Sequence, residues 1–403
     1  MAGETLMTDT STLTEDTIAH ARHTLADRLC AEGTITDAAV EEAFRNVPRH
    51  AFLPHASLEE AYSDTIVSIK DDESGRSLSC ASMPGVVASM LEQARIEPGA
   101  RVLEVGAGTG YNAALLGHIV GEHGRVVTID VDRDLTDDAA ARLAETGATD
   151  VEVVLGDGAL GYEAGAPYDR IIATVGSHRI PAAWLRQLAP EGRLIAPVRV
   201  AGDVSYSIVF ERDGEKWASV DARPATFIPL RDSVEEDTRA YRSITGDDRV
   251  TLQVNREQRV TDEQVRGVLD EPSSLVWSGV TIGGMEPRDK VWLRLALLLD
   301  NSVSRMLVER AAIVSGLVAP GLPWGDMASV PVDERGLAYL TARALTADPR
   351  GEWEFGVVGH GEAGRRLAER MADLIRGWER TAKVGFEVRL DGEGRTSLDV
   401  TWD

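Results

Sequence analysis

The chain has 403 residues and a formal net charge of −24 at pH 7. This length allows two domains with separate cores. The negative charge disfavours nucleic acids and anionic membranes as partners, because both require a basic surface. Two cysteines, Cys30 and Cys80, are too few for a disulfide framework or a cysteine-based metal site, and we expect no metal.

The apolar stretches indicate where the protein is found. None approaches the roughly 20 apolar residues that are needed to span a bilayer. Residues 1–12 are polar and lack the apolar core of a secretory signal. We therefore predict a cytoplasmic protein with a disordered segment at 1–12.

Two helices are predicted before the first proline of the chain. Ile18, Leu25 and Leu29 share one helical face. Thr36 or Asp37 can cap the second helix. We expect these N-terminal helices to precede the main sheet.

A run of serines follows an irregular segment. Residues 47–64 contain prolines that disfavour regular structure, and residues 77–84 then precede a helix predicted over 86–91. A hydroxyl before a helix usually caps it. Capping accounts for one of these serines but not for three, so we expect a loop with a further role.

Gly106, Gly108 and Gly110 follow a short apolar strand and precede an apolar helix. Glycine permits positive φ and lets a ligand approach the backbone closely. Dinucleotide-binding folds use a similar turn, so the glycines alone do not identify the ligand.

Acidic residues stand at the ends of three consecutive predicted strands. Glu104 suits a cation such as the sulfonium and amino groups of S-adenosylmethionine (SAM). Asp130 can accept hydrogen bonds from a ribose diol, and Asp157, followed by Gly158, from an adenine amino group. Each carboxylate could instead cap the helix after it. The three together favour a SAM pocket.

Strands and helices alternate through the first half of the chain. This pattern predicts an α/β fold of the class I SAM-dependent methyltransferase type, a Rossmann-like doubly wound sheet with ligands at the carboxyl ends of its strands. A hairpin is predicted next, around Asp213-Gly214. The predicted strands of the sheet are 102–105, 126–129, 151–155, 169–175 and 192–200.

The remainder of the chain differs in composition. Residues 232–248 are acidic and polar and are predicted to be a linker. Residues 249–403 have their own apolar segments, and we predict an additional C-terminal α+β domain. No catalytic motif is visible in it. Its predicted elements include a strand at 249–254, a capping box at 261–264, apolar segments at 275–282 and 291–299, a helix through 367–378, and strands at 384–390 and 396–402.

Several motifs of the first 230 residues resemble the protein-L-isoaspartate O-methyltransferase family. The resemblance implies a catalytic domain over 13–231 that uses SAM to esterify a peptide carboxylate and releases S-adenosylhomocysteine. The similar segments are Val47-Pro48-Arg49-His50, the Ser-x-Pro segment at 82–84, and residues 102–111, 156–158, 166–172 and 188–197.

The family's functional serine lies in a Thr-Ile-Ser-x-Pro motif. Matching Pro84 and the Val-Ala-x-Met that follows implies that this serine is Ser82. The chain departs from the pattern with Cys80-Ala81 in place of Thr-Ile, and with Asp130 where the family usually carries Glu. These departures predict a substrate pocket that differs from that of a repair enzyme.

The chain continues well past the family motifs. This architecture, with 227–231 at the junction, resembles the branch encoded with ribosomally made peptide natural products. The resemblance implies methylation of an aspartate in a modified precursor peptide, and the ester then cyclises to aspartimide, which opens to isoaspartate. We expect the C-terminal domain to hold that peptide or to form a homodimer.

Two other functions stay open at this point. One is repair of isoaspartyl residues in proteins, and the other is a non-catalytic module that binds SAM or a peptide. A nucleic-acid amino-methyltransferase is disfavoured, because the turn after the fourth strand, 174–177, lacks the Asn/Asp-Pro-Pro-aromatic sequence of that chemistry.

A carboxylate substrate is already ionised at neutral pH and needs no general base to accept a methyl group. Ser82 would orient it by a hydrogen bond. Ser79 and Arg49 are further candidates for substrate contact, the latter as a local cation. His50 could be a base, although a loop hydrogen bond is the favoured interpretation. Cys80 has no neighbouring histidine in the motif to make it a nucleophile.

Overall fold

The computed structural model describes residues 14–73, 75, 77–231, 238–319 and 326–402. The segment 1–12, predicted to be disordered, lies outside them. The chain divides into two compact units. Unit 1 comprises residues 1–175 and 183–195, and unit 2 comprises 176–182 and 196–403.

Unit 1 begins with the two predicted N-terminal helices and a short third one, at 58–62, within the segment 47–64 that was expected to be irregular. Each helix is capped by a side chain that accepts a hydrogen bond from its first turn, contributed by Thr14, Asp37 and Ser57 respectively. Asp37, not Thr36, is therefore the cap of the second helix. The helices are α1 (Glu15–Ala31), α2 (Ala38–Asn46) and α3 (Leu58–Tyr62).

The serine run differs from the predicted loop. Residues Ser77–Ala81 form strand β2, which pairs antiparallel with β1 (Val67–Asp71). Helix α4 (Pro84–Ala94) follows, and no serine caps it. The segment expected to be a loop is thus one strand of a hairpin, because its backbone groups pair with those of β1. Its sequence has no apolar alternation that would have indicated a strand.

A parallel sheet forms the centre of unit 1, as expected. The sheet consists of five strands in the order β5-β4-β3-β6-β7. They are β3 (Arg101–Val105), β4 (Arg125–Asp130), β5 (Val151–Leu155), β6 (Tyr168–Ala173) and β7 (Leu188–Ala201). Strands β3, β4, β6 and β7 carry buried apolar runs, as in sheets covered on both faces, whereas the edge strand β5 is only partly buried. The helices between these strands are α5 (Tyr111–Val120), α6 (Arg133–Glu145) and α7 (Ala182–Gln187).

The chain passes from unit 1 to unit 2 within β7, between Ile195 and Ala196. Strands β8 (Val204–Asp213) and β9 (Lys216–Pro224) then form the predicted hairpin. The predicted linker is in part a strand, since β10 (Arg239–Ser243) pairs with β11 (Val250–Asn255). Its residues 232–237 lie outside the described part.

Unit 2 contains a seven-stranded antiparallel sheet in the order β10-β11-β13-β14-β15-β16-β12. Its remaining strands are β12 (Ser273–Gly283), β13 (Ser304–Val308), β14 (Asp326–Ser329), β15 (Leu337–Ala344) and β16 (Glu352–His360). Helix α11 packs against β12, β15 and β16. The helices of this region are α8 (Asp262–Val265), α9 (Asp289–Leu298), α10 (Arg310–Val314) and α11 (Gly361–Arg376).

The last two strands pair with the hairpin of unit 2. Strand β17 (Val384–Leu390) lies between β9 and β18 (Thr396–Trp402), both antiparallel to it. The predicted α/β fold with an additional C-terminal α+β region is therefore confirmed. Within the described residues, no helix combines the length and apolarity that crossing a membrane requires.

Candidate active site

The glycine turn lies in unit 1 between β3 and α5. Gly106, Gly108 and Gly110 have φ values of 104°, 51° and 87°, all in the left-handed region that favours glycine. A Cβ on Gly106 would lie 2.6 Å from the Thr174 hydroxyl oxygen, so an alanine does not fit there. A Cβ on Gly108 would have as its nearest neighbour the Ser79 hydroxyl oxygen, at 3.9 Å. The backbone at Gly108 is therefore open to an approaching ligand.

Glu104 lies beneath this turn with its side chain fully buried. One carboxylate oxygen accepts a hydrogen bond from Asn112 Nδ2 at 2.7 Å, and the other from Thr128 Oγ1 at 2.6 Å. Burial raises the pKa of Glu104 to about 7 against the lowering effect of these bonds. The carboxylate thus supports the turn from inside, and its direct contact with a cationic ligand stays a prediction.

Asp130 ends β4 and joins two loops of the site. Its carboxylate accepts hydrogen bonds from the main-chain N–H of Gly108 at 3.1 Å and of Asp132 at 3.2 Å. A carboxylate offers about four acceptor positions. Asp130 therefore connects the glycine turn to the start of α6 and retains positions for a ribose diol.

Asp157 follows β5, as expected, and caps a short 3₁₀ turn at Gly158–Leu160 through a 2.8 Å bond from Ala159 N–H. The carbonyl of Gly158 accepts a hydrogen bond from the buried Trp184 indole at 2.8 Å. The capping alternative is thus realised at Asp157. It uses one oxygen, so the other remains for an adenine amino group.

Ser82 is half-buried in the short connection between β2 and α4. Asp64 holds the start of α4, because its Oδ1 accepts the main-chain N–H of Gly85 at 2.7 Å. The main-chain carbonyl of Ser82 accepts a hydrogen bond from Arg49 Nη2 at 2.9 Å. The backbone around the predicted functional serine is therefore held from two sides.

Arg49 has surroundings that differ from those predicted. Only 1% of it is exposed, and its Nε donates to the carbonyl of Ala61 at 2.8 Å. Burial lowers the pKa of the guanidinium. Its Cζ lies 5.0 Å from the ring centroid of Tyr111, the first residue of α5. A buried side chain with these partners is not placed as a local cation for a substrate carboxylate.

The other candidates lie around the same segment. His50 Nδ1 lies 3.0 Å from the Tyr62 hydroxyl, and burial lowers its pKa, which fits the loop hydrogen bond more than a base. Ser79 is buried on β2 and faces Gly108. Burial raises the pKa of Cys80, which disfavours a thiolate.

Sequence reasoning missed Asp64, Tyr111, Asn112 and Thr128. Tyr111 and Asn112 stand directly after the glycine turn, and that position was the available signal for both. Thr128 occupies an inward position of β4. Asp64 offered no signal, because its partner Gly85 lies 21 residues away.

A parallel sheet with a glycine turn after β3 and carboxylates at three neighbouring strand ends defines a class I SAM-dependent methyltransferase. The residues that would hold SAM are the glycine turn, Asp130 and Asp157. The family model described as protein-L-isoaspartate(D-aspartate) O-methyltransferase (PCMT) matches residues 20–235. The chain belongs to this family, and SAM is its methyl donor.

Individual relatives match the same half of the chain. The protein-L-isoaspartate O-methyltransferase 2 of Archaeoglobus fulgidus is 41% identical over 217 residues, which are 52% of this chain and 92% of the relative. The protein-L-isoaspartate O-methyltransferase of Methanoregula boonei is 39% identical over 211 residues, 52% of this chain and 92% of its own.

A solved structure of a protein-L-isoaspartate O-methyltransferase extends the similarity in fold. It covers 94% of this chain and 99% of its own, with a TM-score of 0.51 and 21% sequence identity. At this identity the likeness concerns the fold alone.

Proposed function

We propose that this enzyme methylates isoaspartyl carboxylates in peptides or proteins. The relatives are named for that substrate, and they favour it over the precursor-peptide aspartate expected from the length of the chain. The observation that carries the proposal is that the segment 79–82 meets the glycine turn. Ser79 Oγ faces Gly108, and Arg49 touches both the Ser82 carbonyl and the start of α5.

The residues of the site act by binding and orientation. The substrate carboxylate is ionised at neutral pH. The Ser82 hydroxyl donates a hydrogen bond to one carboxylate oxygen and leaves the other free to accept the methyl group that SAM supplies. Orientation of this kind can contribute about 7–11 kcal/mol when the geometry is right. Asp130 and Asp157 hold the donor through its ribose and adenine groups.

A second substrate is an ordinary aspartate in a ribosomally made and modified precursor peptide, whose methyl ester would cyclise to aspartimide. Two features favour it: Cys80-Ala81 stands where the family carries Thr-Ile, and some 170 residues follow the family motifs. In this proposal unit 2 holds the peptide or forms a homodimer. A cytoplasmic location is part of both proposals.

The substrate is tested by methyl transfer from labelled SAM to a matched pair of aspartyl and isoaspartyl peptides, and to any precursor peptide encoded beside the gene. Preference for the isoaspartyl peptide supports the first proposal. Transfer to aspartate only in the precursor, followed by loss of methanol, supports the second. Light scattering of the purified protein tests the homodimer, which a monomer at micromolar concentration contradicts.

The role of Ser82 is tested by Ser82→Ala, with Ser77→Ala as the matched control because Ser77 is exposed at the start of β2. Ser82→Ala should lower kcat on the preferred peptide on the order of 100-fold, the loss caused by imperfect orientation, and leave the Kd for SAM unchanged. Unchanged turnover contradicts this assignment. Asp157→Ala should raise the Kd for SAM, and an unaltered Kd removes it from the adenine site.

A further inference from the structure

Arg49 is a buried cation whose hydrogen-bond partners are main-chain carbonyls. Burying a charged group is costly unless it is fully hydrogen-bonded. A planar guanidinium offsets that cost well when it joins two acceptors at once, because its N–H groups have fixed directions. Arg49 does this with Ala61 and Ser82, at 2.8 and 2.9 Å.

The two acceptors belong to separate segments of unit 1. Ala61 lies in α3, and Ser82 lies in the connection to α4. The hydrogen bond from Gly85 N–H to Asp64 joins the same two segments a few residues further on. The connection that carries Ser82 is therefore held against the end of α3 at two points.

A third contact links Arg49 to the glycine turn. Its Cζ lies 5.0 Å from the Tyr111 ring centroid, and Tyr111 directly follows Gly110. Tyr111 is itself buried and packs edge-on against Phe44 of α2, so its ring is a fixed surface. One guanidinium thus contacts both the serine segment and the turn that faces the methyl donor.

We propose that Arg49 is a positioning residue, which sets the Ser82 hydroxyl relative to the glycine turn and does not itself touch the substrate. This inference rests on the proposed role of Ser82. A displacement of about 1 Å at a reacting group can lower the rate about 100-fold. Loss of the two hydrogen bonds that join Arg49 to Ala61 and Ser82 should therefore lower turnover while SAM still binds.

The test is a double-mutant cycle of Arg49→Lys and Ser82→Ala on the full chain, measured as kcat, KM for the preferred peptide and Kd for SAM. Lysine keeps the charge but cannot present two N–H groups in a fixed fork. Arg49→Lys should lower kcat about tenfold or more, with the Kd for SAM unchanged. In the Ser82→Ala background the same change should lower kcat less than about threefold, because residues that act as a unit are not additive.

Arg170→Lys is the matched control. Arg170 also donates to main-chain carbonyls, those of its neighbour Asp169 at 2.8 Å and of Ala94 and Arg95 at 2.6 and 2.7 Å. Ala94 and Arg95 lie at the other end of α4, about 15 Å from its start by helix rise. The control should lower Tm to a similar extent and leave kcat near that of the wild type. If Arg49→Lys does not fold, Arg49→Met replaces it, since it keeps the buried volume without a buried charge.

Three results overturn the inference. Equal fold-losses from Arg49→Lys in the wild-type and Ser82→Ala backgrounds would mean that Arg49 acts independently of Ser82. A weaker Kd for SAM would assign Arg49 to the glycine turn instead. Full activity of Ser82→Ala would remove the proposed role of the serine and this inference together, which distinguishes that failure from the first two.

Discussion

The two segments that meet at the site are built in different ways. The glycine turn is held by residues close to it in the chain or on adjacent strands, with Glu104 beneath it and Asp130 beside it. The Ser82 segment is held by side chains from elsewhere, Arg49 and Asp64. The turn is thus a property of the sheet, whereas the position of Ser82 depends on long-range contacts.

This difference separates binding from turnover. Changes within the turn should act on SAM affinity and on the stability of unit 1. Changes in the supports of Ser82 should act on kcat. Gly106→Ala and Asp64→Ala test that separation, whereas Glu104→Gln and Lys70→Met test the stability of the two segments. The four are ordered by the size of the expected effect.

Gly106→Ala should damage the turn most. Its new Cβ would meet Thr174 Oγ1 at 2.6 Å, and φ of 104° is itself strained for alanine. We expect SAM affinity to fall about 100-fold or more, which corresponds to about 3 kcal/mol. Calorimetric titration with SAM measures it.

Gly99→Ala is the control for Gly106→Ala. Gly99 has φ of 84° with no atom within 4 Å of a new Cβ. It should lose only about 1–2 kcal/mol of stability, the cost of a left-handed backbone, and bind SAM normally. Normal SAM binding by Gly106→Ala would show that the turn tolerates a side chain, and it would contradict the expectation that changes within the turn lower SAM affinity.

Glu104→Gln should change how stability depends on pH. The folded pKa of about 7 lies above the ordinary value of 4.5, so the carboxyl stabilises the fold below pH 4.5 and this contribution is lost as pH rises through 7. From pH 4 to 8 the free energy of unfolding of the wild type should fall about 3 kcal/mol more than that of the variant. Urea unfolding without SAM, repeated across this range, measures it. Parallel profiles would mean that Glu104 ionises normally.

Asp64→Ala should act on the serine segment. It leaves Gly85 N–H without its acceptor, which should cost about 1–2 kcal/mol and lower kcat while the Kd for SAM stays unchanged. Asp37→Ala removes the comparable cap of α2 and serves as the control, with a similar loss of Tm but normal kcat. A raised Kd for SAM in Asp64→Ala would break the separation between binding and turnover.

Lys70→Met should have the smallest effect. The Lys70 ammonium on β1 pairs with Asp134 at 2.8 Å and with Asp132 at 3.4 Å, both partly exposed. Such pairs contribute about 0.2–1 kcal/mol. Chemical unfolding at low salt should show a loss of this size, and 1 M NaCl should abolish it, because screening then acts over about 3 Å. A loss that persists in high salt would point to packing by the lysine stem instead.

The parts of the fold that were predictable carry a local pattern. Strand β5 and strands β17 and β18 lie where alternation and turn residues placed them, and the capping box at Thr261 is present. The glycines and the three strand-end acids were likewise visible. Each signal lies within a few residues of the element it specifies.

The parts that were not predictable depend on distant partners. Strand β2 is half-exposed and polar, so its sequence has no apolar alternation from which its pairing with β1 could be predicted. The strand β10, in the acidic segment before β11, is also partly exposed, and it was not predicted for the same reason. Arg49 was interpreted as a local cation for the substrate carboxylate, because main-chain carbonyls as hydrogen-bond partners leave no mark in the sequence.

Unit 2 is discontinuous in the chain, since it takes residues 176–182 and resumes at 196, inside β7. A single genetic crossover after the family motifs would not transfer it intact between relatives. A recombinant that inherits the C-terminal region alone receives β17 without β9, the strand with which it pairs. Chimaeras should therefore keep β7 whole and take β8, β9 and the C-terminal region from one parent, with the junction after Ala201.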